Sequence, residues 1–298
     1  MLCSMYLLST YPKHFSPFLL ILLLRFVHYI GPGQLEVVLR YRNNPMKLAD
    51  NVIYVKETIS CVAKKYSFKA LFIPKYDMTK AGNGLHIHMS FRDKTTRQGL
   101  FSNRNETIDS DGGSGSGIGN GLSKKGSAFI EGILQHLPSI MGITLPTRNS
   151  FKRIGVGCWT GSEIGWAVED KECGIRVCSN LQTKEWDHVE CKLSDSTCNI
   201  YMAITALLAC GLHGIKQNLI LRPSISDQKQ DQNQDSVVVQ SLPSTVEEAF
   251  VQLEQDTLLC ETFGSTLMTG YLALRRNEAE RASKMTLEDE VKEAFDRA

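Results

Sequence analysis

The stretch AGNGLHIHMSFRD, residues 81–93, sets two histidines one residue apart in an apolar run. Leu85, Ile87, Met89 and Phe91 alternate with His86, His88 and Ser90, the period-two signature of a β-strand. One face is then apolar, and the other carries two imidazoles and a hydroxyl. Gly82 and Gly84, just upstream, leave room for a close approach to the backbone. Two further stretches put polar groups on apolar strands. GQLEVVL (33–39) places Glu36 on the face of Val38 and Arg40, and DHVECKL (187–193) places His188, Glu190 and Lys192 opposite Val189 and Cys191. If these strands are neighbours in one sheet, Glu36, His86 and Glu190 converge. Carboxylates with one imidazole make a hard-donor set suited to Mg²⁺ or Mn²⁺. Such an ion commonly serves phosphate chemistry, because it bridges and neutralises nucleotide oxygens. Spacing alone leaves a plainer reading open, in which the histidines are hydrogen-bonded strand residues and the glutamates are solvated.

Basic residues form a second group. NSFKRIGVG (149–157) carries Lys152 and Arg153, and DKECGIRV (170–177) carries Lys171 and Arg176. A guanidinium fork beside a strand suits carboxylate or phosphate, although any one of these side chains could equally be a solvated loop charge. Together with the acidic face they suggest a site for an anionic substrate plus a nucleotide.

The surrounding pattern predicts an α+β protein, with strands early and helices late. Helices are expected over 48–66, over 122–137 with Ser123 as N-cap, and over 195–217; KALFIPKYD (69–77) reads as a short strand. Ser244 and Glu247 are spaced as a capping box for a further helix. Polar, glycine-rich 102–121 and polar 224–241 read as flexible loops. At 298 residues, 42% hydrophobic and 22% charged, the chain can bury a sizeable core. A formal charge of +1 argues against a general nucleic-acid binder. The nine cysteines lie scattered without CxxC pairs, which predicts reduced thiols in a cytoplasmic protein and argues against zinc held by cysteine. SPFLLILLLRFV (16–27) offers an apolar run of about ten residues where a membrane span needs about 20, so no span is expected.

The ordered set GPGQLE, AGNGLHIHMS, LPTRNSFKR, the IRV after DKECG, HVEC, DSTCNIY and YLALRRNEAE resembles the catalytic domain of glutamine synthetases over residues 29–298. The details are most similar to the divergent nodulin and FluG branch. The resemblance implies a curved antiparallel sheet flanked by helices, without the N-terminal β-grasp domain, and leaves 1–28 as an apolar leader foreign to the fold. It implies ATP-dependent ligation of glutamate to ammonia or another amine through an acyl-phosphate, with Mg²⁺ or Mn²⁺. Glu36, His86 and Glu190 resemble metal ligands; Arg153 and Arg176 resemble the catalytic arginines. Gly82, Arg153 and Lys192 correspond to substrate-binding positions, and His88, Lys171 and Arg176 to nucleotide-binding ones. Family members form homo-oligomeric rings through the domain missing here, so assembly is not expected to carry over.

The chain also departs from the family pattern. Tyr29 and His28 stand near the place of a glutamate, Ala81 replaces an asparagine, and Lys192 replaces an arginine. Cys158 and Trp159 occupy the region of a mobile glutamate, for which Glu163 is the nearest stand-in. The strand bearing the first two metal carboxylates is not found. These departures support a runner-up reading, a catalytically impaired binding or scaffold protein.

Overall fold

Alternation of apolar and polar residues yields strands where the chain was read as extended, but their order in the sheet is not the order of the chain. A computed structural model describes residues 2–9, 24–31, 33–102, 121–180, 186–230 and 240–298. The first half holds β1 (Leu2–Ser9), β2 (Leu24–Gly31), β3 (Gln34–Leu39), α1 (Pro45–Lys65), β4 (Phe68–Leu71), β5 (Leu85–Met89) and α2 (Lys124–Thr144). There follow α3 (Arg148–Phe151), β6 (Trp166–Val168), β7 (Ile175–Ser179), β8 (Trp186–Cys191) and α4 (Ile200–Gln217). The remainder is helical: α5 (Ile225–Gln230), α6 (Val246–Gln255), α7 (Thr257–Phe263), α8 (Ser265–Ala282) and α9 (Leu287–Arg297). The fold is thus α+β, as the pattern predicts.

The strands lie in the order β2-β3-β1-β5-β8-β7-β6, with β4 also paired to β1. Among the described strands every pairing is antiparallel except that of β6 with β7, so the sheet is mixed rather than wholly antiparallel. Cross-strand register separates two faces. Ile87–Cys191–Ile175 and Met89–Val189–Val177 line one, while His88–Glu190–Arg176 crosses the other. The apolar rows join a buried cluster that runs through Ile133, Leu134 and Leu137 of α2, Ala203 and Leu207 of α4, and Phe250 of α6. Glycines let α2 and α4 touch closely: a Cβ on Gly214 would sit 2.0 Å from the Ala128 carbonyl oxygen.

Several expectations are corrected. The segment expected to be foreign to the fold contributes two strands, and β1 pairs with β3, β4 and β5. A short apolar run satisfies a ladder as readily as a leader. Residues 195–199 are not helical; Asn199 caps α4 by accepting from the Tyr201 and Met202 amides. Ser123 caps α2 as predicted, but the helix continues through Pro138 to Thr144. Thr245, not Ser244, caps α6, and Glu248 rather than Glu247 answers Ser244. Within 224–241, α5 forms; 103–120, 231–239 and 10–23 lie outside the described residues. Among the described residues no helix is long and apolar enough to cross a membrane.

Candidate functional site

Strands β5, β8 and β7 set the polar row side by side, and Glu190 at its centre is 1% exposed. Burying a carboxylate is costly unless it is partnered. Glu190 has three partners. Its Oε1 meets His86 Nδ1 at 2.9 Å and lies 3.6 Å from His88 Nε2, and its Oε2 accepts from Arg176 Nη1 at 3.2 Å. Burial alone would raise its pKa. The His86 hydrogen bond and the charges of His86, His88 and Lys192 outweigh burial and hold it down at about 2. Desolvation also lowers the His88 pKa, from its ordinary 6.5 to about 3, so its imidazole is neutral.

Arg176 donates from Nη2 to Glu169 Oε2 at 3.0 Å, while its Nε is buried with no hydrogen-bond partner among the described residues. Lys192, 2% exposed, donates to the backbone carbonyls of Lys171 and Asp170 at 2.5 and 3.3 Å. Burial lowers its pKa, against the pull of Glu190. The Lys171 side chain itself is on the exposed turn before β7.

Arg153 is 3% exposed and donates to the carbonyls of Ser194 and Lys192. The upstream glycines make way for it. A Cβ at Gly82 would lie 2.8 Å from Arg153 Cβ, and one at Gly84 2.8 Å from Arg153 Nη2 and 2.6 Å from His86 Nε2. The structure therefore brings His86, His88, Glu190, Arg176 and Lys192 to one face, with Gly82 and Arg153 packed together beside it.

Glu36 does not join them directly. Strand β1 intervenes: Ser4 opposes Glu36 and Leu2 opposes His86. Two strand spacings put Glu36 roughly 10 Å from β5. The parity of the register keeps it on the same face. Glu163 pairs with Ser241 in an isolated bridge, and Trp159 stands on an exposed loop with φ 59°.

Sequence reasoning missed four residues. Gln34 Nε2 donates to Asn83 Oδ1 at 3.0 Å and to the Gly82 carbonyl at 3.2 Å, tying β3 to the glycine approach. Asp195, fully buried, has a pKa raised by desolvation against the pull of Arg153. Its position at the head of the DSTCNIY stretch was the available signal. Glu169, the second partner of Arg176, gave none.

Fold and site together define an α+β protein whose sheet face gathers a carboxylate, imidazoles and a guanidinium. The family described as "Glutamine synthetase, catalytic domain" matches residues 20–294. Glutamine synthetase of Methanocaldococcus jannaschii is 32% identical over 254 residues, 84% of this chain and 52% of that protein. Type-1 glutamine synthetase 1 of Dictyostelium discoideum is 29% identical, covering 88% of the chain and 49% of that protein. Protein fluG of Emericella nidulans is 28% identical over 86% of the chain and 26% of its own length. A solved "novel glutamine synthase homolog" shares the fold with a TM-score of 0.80 at 22% identity, covering all of this chain and 70% of that one. The chain belongs to the glutamine synthetase family. It spans about half the length of the curated glutamine synthetases it matches.

Proposed function

We propose that the chain is an ATP-dependent carboxylate–amine ligase that phosphorylates the γ-carboxylate of glutamate and joins it to ammonia or another amine. The observation that carries this reading is the row His88–Glu190–Arg176, with His86 on Glu190. The donor chemistry fits one Mg²⁺ or Mn²⁺: Glu190 and His86 would hold it, with nucleotide oxygens and water completing its shell. Glu36, on the same face, would serve a second ion nearer glutamate. When bound, such ions neutralise charge on the transferring phosphoryl. Arg176 would stabilise the same charge, and Arg153 packs against the glycine approach.

The impaired-scaffold reading keeps one specific support. The positions of β1 that oppose Glu36 and His86 are Ser4 and Leu2, neither of them a carboxylate. A phosphate-release assay with glutamate, ATP, Mg²⁺ and a panel of amines separates the two. Glutamate-dependent release that is lost in Glu190→Ala supports the ligase; ATP binding without turnover for any amine favours the scaffold.

A further inference from the structure

Beyond Glu190, the same sheet face carries a second group of donors of different character. Cys178 of β7 lies opposite His188 of β8, and His88 of β5 stands diagonal to that pair. One ligand atom from each of His88, Cys178 and His188 lies within 4.8 Å of the others. The two imidazole rings are 5.2 Å apart between centroids, inclined at 47°. We propose that His88, Cys178 and His188 form a binding site for Zn²⁺, separate in chemistry from the hard-donor set around Glu190.

The donor set selects the ion. Two imidazoles and one sulfur are borderline-soft ligands, which Mg²⁺ and Mn²⁺ disfavour and Zn²⁺ accepts in tetrahedral geometry with a fourth position open. Ligand bonds of about 2.0–2.3 Å put tetrahedral donors roughly 3.3–3.8 Å apart. The three side chains therefore need to close by about 1 Å, a rotamer adjustment on a fixed sheet. The surroundings favour it. The pairing of β7 with β8 slips after Cys178, where Ser179 meets Trp186, and the extra residue in β8 is Asp187. Asp187 Oδ1 hydrogen-bonds His188 Nδ1, the carboxylate–histidine arrangement that orients an imidazole with its Nε2 toward a metal. Cys178 is 4% exposed, and among the described residues its thiol makes a weak 3.9 Å contact to the Arg176 carbonyl. On binding, the Cys178 Sγ gives its proton to solvent and coordinates as thiolate. Zinc would also hold the His88 imidazole that the ligase reading gives to the nucleotide, so Zn²⁺ and nucleotide compete there.

The test uses the full chain and Co²⁺ as a spectroscopic stand-in for Zn²⁺. One equivalent of Co²⁺ is expected to give the intense visible bands of a four-coordinate site and one thiolate-to-metal charge-transfer band, both erased by Zn²⁺ and unmoved by millimolar Mg²⁺. Cys178→Ser should remove the charge-transfer band and weaken Zn²⁺ binding about 100-fold in chelator competition. His188→Gln should weaken it about as much while leaving the fold intact by circular dichroism. Absence of stoichiometric binding, a spectrum without thiolate character, or a charge-transfer band that survives Cys178→Ser each overturns the proposal. Ligase activity enters none of these readings, so failure of the ligase function and failure of this site are distinguishable.

Discussion

Glu190 shows how one buried charge organises its neighbours. Its pKa of about 2, against an ordinary 4.5, means that the folded state prefers the carboxylate. A depressed pKa contributes stability that is present above the unfolded value and lost as pH falls through the folded one. Glu190→Gln should therefore lower stability at pH 7 by about 3 kcal/mol, with the gap to wild type narrowing to about half by pH 3. Urea midpoints at the two pH values check this; an equal gap at both would mean that the charge is not what stabilises. Gly82 makes a steric case instead. Its missing Cβ would lie 2.8 Å from Arg153 Cβ and 2.9 Å from the Pro74 carbonyl oxygen, neither the end of a flexible chain. Gly82→Ala should cost about 1–3 kcal/mol and lower the melting temperature. An unchanged melting temperature would show that the Arg153 packing yields freely.

The helices and strands were largely readable from periodicity and caps, and the misreadings have local causes. Ser123 is legible because a capping serine stands before a first helical turn of polar residues that leads into the apolar run from Ala128. The cap of α6 was misplaced by one residue because Ser244 and Thr245 are both capping types, and only the fold shows that Thr245 accepts from the Glu248 amide. Asp256 caps α7 by accepting from the Leu259 amide, and its other oxygen meets His136 Nδ1 on α2 at 2.7 Å. Burial raises the Asp256 pKa, but the His136 and Leu259 hydrogen bonds prevail and hold it below its ordinary 3.8. Its contribution is thus present above about pH 4 and fades below it. Asp256→Asn, which keeps a capping oxygen, should cost about 1 kcal/mol at pH 7, and Asp256→Ala about 2. Equal losses by chemical denaturation would assign the whole effect to the hydrogen bond with His136.

Topology was the least readable part. The alternating strands around His86 and Glu190 announced a polar face, and the family motifs in order announced the fold, yet nothing local fixes which strand adjoins which. Pairings such as Arg176 with Glu190 and His88 with Glu190 arise from long-range register, so the Zn²⁺ candidate, built across three strands, was invisible to spacing and to any CxxC rule. The same limit explains Glu36, which parity places on the correct face but which an intervening strand holds away from His86. That strand, β1, comes from the segment that the family resemblance leaves foreign to the fold. It bridges the sheet: Leu2–Tyr6 pair with β3, Tyr6–Ser9 with β4, and Leu2 and Cys3 with β5. Removing residues 1–10 would leave β3 and β5 with facing rows of unpaired N–H and C=O groups, edges that invite association between chains. The truncated chain should lose hydrogen-exchange protection at the β5 amides, melt at lower temperature and sediment as aggregates. A truncated chain that stays monodisperse, keeps its melting temperature and retains protected β5 amides would show that these residues contribute nothing to the sheet, restoring the view of the segment as foreign to the fold.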